Sequence, residues 1–302
     1  MELSARYLSF DGRPFRLRVG LRPLESYAWL EVDESYDAEL AEKARLLRER
    51  HDEVVAVVDD GSLRALADRA CAEVVNLVVD HLRADHPGIV SERGAPLANR
   101  RTGEALEGLH PIDAAGRLVQ EDLVVLVPSN RGLVLAAASL CFPSRWRLRD
   151  KVGLPMAAIH EPVPGYAESL GVPTDGALTR LAVADADRPV WRLNWSLHDD
   201  PALFQPEGHG RGTSVGSRVT PENAGEAVWL RVERQVLRGL PESGGVLFTI
   251  RTLQWPLGEL VSMPGACADL ASTLRTLPPG FATYKSLPAI TPAVLEWLDA
   301  RA

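Results

Sequence analysis

From Val190 to Leu197 the chain alternates between two kinds of side chain without a break. Trp191, Leu193, Trp195 and Leu197 fall on one parity; Arg192, Asn194, Ser196 and His198 fall on the other. A period of two fits a strand and no helix, so this segment has to lie in a sheet with one face on a core. The other face carries an arginine, an asparagine and a histidine in register, and it either meets water or lines the mouth of a cofactor site. Leu123–Val127 and Leu133–Leu140 are apolar and β-rich, and the turn residues Pro128 to Gly132 between them predict a hairpin. Val228–Val232 and Val246–Thr252 read as further strands, with a helical turn over Arg234–Leu240 between them.

Helical periodicity holds the two ends. Asp37–Arg50 places Leu40, Ala44 and Leu47 on one face, the short apolar strand Val54–Val58 follows, and Leu63–Leu82 repeats Leu66, Ala70, Val74, Leu77 and Val78 at helical spacing with Ser62 as its N-cap. His81 and His86, at and beyond its end, read as solvated, and the glycine-rich segment Ser91–Gly116 as a long loop. Glu168–Leu181 reads as a turn plus a helix. Pro264–Ala302 reads as helical, with Leu270, Leu274 and Leu277 on one face. A chain of 302 residues, 46% of them hydrophobic, can bury a large core. The expectation is an α+β fold: one domain over residues 1–302, built on a central, largely antiparallel sheet, with helical extensions at the N-terminal 1–90 and the C-terminal 264–302.

Charge and motifs exclude several functions. A net charge of -8 without a block of basic residues argues against a nucleic-acid surface. The start MELSARYLSFDG is not a secretory signal, and the longest apolar run, Gly132–Phe142, is too short to span a bilayer, so a cytoplasmic protein is expected. Cys71, Cys141 and Cys267 are an odd number far apart in sequence, which suits free thiols and excludes a four-cysteine zinc or iron–sulfur site. No G-x-G-x-x-G follows a strand and no phosphate-cradling G-x-x-x-x-G-K-S/T is present. Gly212-Thr213-Ser214-Val215-Gly216 matches the hydrolase pattern G-x-S-x-G, but no buried strand precedes it and Pro221 breaks the segment after it. It therefore reads as a glycine loop, at most a lid, within Pro206–Pro221.

The stretch Leu140–Tyr166, LCFPSRWRLRDKVGLPMAAIHEPVPGY, carries the most chemistry. Pro155 suits the start of a short helix over Met156–His160, and Glu161, Pro162 and Pro164 end it, because a residue before proline is pushed out of the α region. His160 is left at the end of a rigid turn beside Met156 and Ile159. One reading makes it a core histidine or a helix-end cation; the other makes it a metal ligand facing a cavity. Cys141 and His198 are the rival ligands, although Cys141 directly follows the apolar run VLAAASL, as a small buried hydrophobe does.

LCFPSRW, the lysine and glycine of DKVG, IHEPVPGY, RLNWSLHDDPALF from Arg192, RVERQVLRGLP from Arg231 and the VLFTIRT after it together resemble the haem-binding subunit of the haem-dependent oxidative N-demethylases. The resemblance runs from Asp33 to Lys285. Arg145 departs from it where the family often has glycine, as does Ser286, which follows Tyr284-Lys285 where glycine is usual. The resemblance implies a PAS-like haem pocket and oxidation of a small secondary amine, dimethylamine in type, by O2 to a primary amine and formaldehyde. It also implies electrons from a separate reductase carrying flavin and an iron–sulfur centre, consistent with a chain that has neither a nicotinamide site nor cysteines for a cluster. The haem expected is b-type, since no C-x-x-C-H is present. Within that reading His160 ligates the iron, Arg192, Asn194 and Arg234 hold the cofactor, the two arginines by pairing its propionates, and Tyr166, Asp199 or Glu233 orients the amine. The opposing class is a non-catalytic haem or small-molecule sensor. A sensor needs an output domain or partner helix, and the chain shows neither a linker nor a sustained heptad run.

Overall fold

The computed structural model describes residues 2–24, 29–208 and 218–302. The Gly212–Gly216 motif and His209 lie outside the described residues.

A seven-stranded antiparallel sheet runs through the molecule. Its edges are two short strands, β1 (Arg22–Pro23) and β2 (Val55–Val57). Between them lie the hairpin of β5 (Asp122–Ser129) and β6 (Gly132–Ser139), then β7 (Val190–His198), β8 (Trp229–Leu240) and β9 (Gly245–Pro256). The order across the sheet is β1-β7-β8-β9-β5-β6-β2. The fold is α+β, as the periodicities require. The N-terminal helices α1 (Tyr36–Glu49) and α3 (Gly61–Asp85), with the four-residue α2 (His51–Val54) between them, cover one face of the sheet together with α4 (Pro111–Gly116). The opposite face takes α5 (Met156–Ile159), α6 (Tyr166–Ser169) and α7 (Gly171–Val183), the segment linking β6 to β7. A third apolar cluster joins the far ends of β7, β8 and β9 to α8 (Ala224–Ala227), α9 (Ala266–Thr276), α10 (Pro279–Tyr284) and α11 (Thr291–Asp299). No helix among the described residues is long and apolar enough to cross a membrane.

Four local expectations change. Arg234–Leu240 is no helical turn: β8 is continuous and pairs with β9 from Trp229↔Pro256 to Leu240↔Gly245. Polar Arg231, Glu233 and Gln235 hide its strand pattern, yet the segment lies inside the sheet, so pairing overrides local periodicity. The cap of α3 is Asp60, whose carboxylate accepts the N–H groups of Ser62 and Leu63, each at 3.2 Å. His81 is not solvated, because its side chain is 8% exposed, packs on Trp29, and is held below its usual pKa by burial. The Ser91–Gly116 segment contains the small hairpin of β3 (Ala98–Asn99) and β4 (Glu104–Ala105), and then α4, whose interior is buried.

Buried polar groups fix the layers to one another. Arg251 on β9 pairs with Asp33 at 2.8 Å and with Glu39 on α1 at 2.7 Å, and Gln120 donates to both carboxylates. Arg231 on β8 is 1% exposed and donates to the carbonyls of Phe142 at 2.8 Å and Leu203 at 3.1 Å. A single guanidinium thus joins the LCFPSRW, DDPALF and RVERQV stretches, which are far apart in sequence. Asp122 completes the joint by accepting the N–H groups of Cys141 and Phe142 at 2.7 and 2.9 Å.

Candidate functional site

Between the sheet and the α5–α7 segment is a cavity of about 1400 Å³. Its floor comes from Val124, Leu126, Leu135, Leu237, Phe248 and Ile250, and its wall from Met156, Ile159, Tyr166, Thr174 and Leu178. The extended N-terminal stretch from Ser9 to Arg22 closes one side. Ligand clefts ordinarily run from about 300 to 1,000 Å³, so the space exceeds what one drug-sized molecule fills.

His160 reaches this cavity by a local construction. Gly153, at φ +79°, turns the chain back onto β6: its N–H donates to Leu135 O at 2.8 Å, and Leu135 N–H returns to Leu154 O at 3.1 Å. Four residues of helix have little stability of their own, so α5 depends on such bracing. Lys151 supplies more, donating from Nζ to the Ile159 carbonyl at 3.0 Å at the end of that helix. His160 Nδ1 lies 2.9 Å from the Met156 carbonyl, which can only accept, so Nδ1 carries the proton and Nε2 keeps the lone pair. The Tyr166 ring stacks on the imidazole at 4.6 Å and 9°. Burial pushes the His160 imidazolium below its usual pKa and the Tyr166 phenol above its own, so both rings are neutral at physiological pH.

The polar parity of β7, Arg192, Asn194, Ser196 and His198, lines the cavity; Leu193 and Trp195 of the apolar parity also border it, while Trp195 and Leu197 pack into the C-terminal core. Across the ladder Asn194 pairs with Glu233 of β8, and Asn194 Nδ2 donates to Glu233 Oε2 at 3.2 Å. Gln235 donates to the same oxygen at 2.7 Å. Lys285, beyond α10, donates to Asn194 Oδ1 at 3.3 Å and to the Trp195 carbonyl. Burial lowers the pKa of Arg192, and its Nε is buried without a hydrogen-bond partner among the described residues. The lining holds nine arginines and lysines against four carboxylates, in a chain of net charge -8. A cavity of that sign is built to receive negative charge.

A family model described as haem-dependent oxidative N-demethylase, alpha subunit-like, matches residues 20–295. The chain belongs to this family. In this N-demethylase alpha subunit-like chain the cavity brings together His160, Tyr166, Arg192, Asn194 and Glu233 from the residues singled out in the sequence. Two others fall elsewhere. Arg234 projects from the opposite face of β8, where its Nε lies 3.4 Å from Glu31, so it cannot reach a group in the cavity; reading its segment as a helical turn concealed that parity. Asp199 lies past the end of β7 outside the lining, engaged by Arg145 at 3.1 Å. Of the rival ligands, Cys141 is fully buried in the other core, with its thiol pushed up to about 12 by desolvation. His198 does line the cavity, with Nδ1 on Gln205 at 2.8 Å, but burial together with Arg231 and Arg145 pushes its pKa down to about 3.

Sequence reasoning missed Lys285 and Arg145 as lining residues. The signal for Lys285 was its rarity, since the chain has only Lys43, Lys151 and Lys285. For Arg145 and Ser286 it was the missing glycine: they are the non-glycine residues with positive φ, +63° and +57°, among those described.

Proposed function

We propose that this chain is the haem-bearing subunit of a monooxygenase that converts a small secondary amine, dimethylamine in type, into a primary amine and formaldehyde. One PAS-like haem-binding domain spanning residues 1–302 would do this: five long antiparallel strands with α5–α7 inserted between the second and the third. The observation that carries the reading is His160, whose Nδ1 is committed to the Met156 carbonyl while Nε2 keeps its lone pair on the wall of a large cavity.

The residues fit a b-type haem. His160 Nε2 would ligate the iron, with the carbonyl behind Nδ1 fixing the tautomer as an outer partner does for a metal-bound histidine. Arg192, whose Nε lacks a partner among the described residues, would pair a propionate, and Asn194 beside it borders the same space. When bound, the haem would supply dioxygen activation, which takes two electrons and two protons per turnover and releases one oxygen atom as water. Tyr166 holds the plane of the imidazole by stacking. Glu233, the buried carboxylate of the lining, would accept an N–H of the amine. Electrons would come from a separate flavin and iron–sulfur reductase, and three buried free cysteines suit a reducing cytoplasm.

Titration of the purified chain with haemin tests the reading. One Soret-absorbing complex per chain is expected, together with formaldehyde release from dimethylamine once a reductant is supplied. A chain that gains no Soret band ends the cofactor assignment.

A further inference from the structure

We infer that Lys285 removes the proton from the ammonium form of the substrate at the Asn194–Glu233 end of the cavity, so that the nitrogen lone pair is free when oxidation begins. This deepens the amine-oxidation reading and rests on it.

An alkylamine keeps its proton at neutral pH much as a free lysine does, to about 10.4, so nearly all of it arrives charged. Oxidation at the carbon beside nitrogen draws on the lone pair, which an ammonium lacks. Discharging the ammonium inside the cavity therefore requires a base close to the place where it is held.

The hydrogen bonds show where that is. Asn194 gives its Nδ2 to Glu233 Oε2 at 3.2 Å, which fixes its amide so that Oδ1 faces Lys285 as an acceptor at 3.3 Å. The second acceptor for Nζ is the Trp195 carbonyl. Two acceptors use both N–H groups of a neutral lysine, and its lone pair is left over. Gln235 and Asn194 both donate to Oε2 of Glu233, so Oε1 is the oxygen available to an incoming ammonium. The transfer balances simply: R2NH2⁺ and the neutral Lys285 amine become R2NH and Lys285 ammonium.

The charged and titratable groups around Lys285 come from four elements. Glu233 faces it from β8, Arg192 and His198 from β7, Arg145 from the loop after β6 with Nη1 3.5 Å from the Lys285 carbonyl, and Tyr284 precedes it on α10. Burial, opposed by Glu233 and aided by Arg192, pushes the lysine down to about 8. The same desolvation acts on an ammonium bound beside it, so the two compete for the proton on comparable terms. Since the neutral form is the base, activity rises with pH through about 8.

The test uses the full, haem-loaded chain with an artificial reductant and dimethylamine, and follows kcat/KM from pH 6 to 10. Lys285→Met removes the amine; Lys285→Arg keeps charge and donors but cannot act as a base. Both variants are expected to keep the wild-type Soret spectrum and to lose roughly 100-fold or more in kcat/KM at pH 8, the range of general-base effects. Their ascending limb should move from near 8 toward the titration of the free amine. Wild-type rates in Lys285→Arg, or a limb near pH 8 in either variant, would overturn the assignment. Loss of haem binding in both variants places Lys285 in the scaffold and overturns it as well. A wild-type chain that releases no formaldehyde defeats the amine-oxidation reading itself, an outcome distinct from all of these.

Discussion

His160 shows how far a single residue can be read from sequence. Its place at a proline-ended turn beside Met156 and Ile159 was legible, because proline restrictions are local and act wherever the chain folds. That Nδ1 is spent on the Met156 carbonyl, and that Tyr166 stacks on the ring, was not, because both contacts depend on how the turn closes against β6. The tautomer yields a sharp expectation. His160→Ala should abolish haem binding or move the Soret band, with partial recovery on adding imidazole, whereas Cys141→Ser should leave the spectrum unchanged. Were His160 only a packed side chain, its removal would cost about 1–3 kcal/mol of stability and leave the spectrum of the folded fraction alone. His198→Ala in the same titration tests the remaining imidazole of the lining, and a band that moves there instead would transfer the ligand. Arg145 and Ser286 carry the opposite lesson. Both keep a left-handed backbone without being glycine, at a cost of about 1–2 kcal/mol each. Their side chains use the position: Arg145 reaches Asp199 and the Lys285 carbonyl, and Ser286 Oγ donates to Gly208 O at 2.8 Å.

Elements were legible in proportion to how much of their stability is local. The amphipathic helices α1 and α3 and the alternating β7 follow their periodicities to within a few residues. Strand β8 does not, because Arg231, Glu233, Gln235 and Arg238 interrupt its apolar pattern, and Arg231 and Glu233 take partners from distant segments, the Phe142 carbonyl and the Asn194 amide. Gly239 shows what holds β8 to the cavity wall. A Cβ there would fall inside van der Waals contact of the Leu181 carbonyl oxygen and the Ala186 Cα, so α7 and the turn after it lie directly on the strand. Gly239→Ala should therefore destabilise the chain by about 1–3 kcal/mol, the usual range for overpacking, seen as a lower denaturant midpoint. It should also weaken haemin binding, because α7 carries Thr174 and Leu178 on the cavity wall. Gly176→Ala, on the same helix with no atom within 4 Å of the new Cβ, is the control, and it should be neutral or stabilising by up to about 1 kcal/mol. Equal losses in both variants would mean that the close approach of strand and helix contributes nothing particular.

At the scale of the molecule, the α+β class came from periods of two and 3.6, but periods do not say which face of a sheet is covered and which bounds a space. The polar parity of β7 admitted water or a cofactor, and only the packing of α5–α7 over it decided that it bounds a cavity. The cavity holds an excess of arginine and lysine within an acidic chain, so it draws anionic groups inward while the rest of the surface repels them. The three cysteines are free and buried, and the sequence carries neither a dinucleotide nor a nucleotide cradle motif. Amine oxidation with dioxygen needs two electrons per turnover, so the isolated, haem-loaded chain mixed with a reduced nicotinamide and dimethylamine should turn over negligibly. Dithionite, or a flavin and iron–sulfur reductase added in trans, should restore formaldehyde release. Rapid, amine-dependent oxidation of the nicotinamide by the isolated chain would show that electrons enter by a route that neither its motifs nor its cavity accounts for.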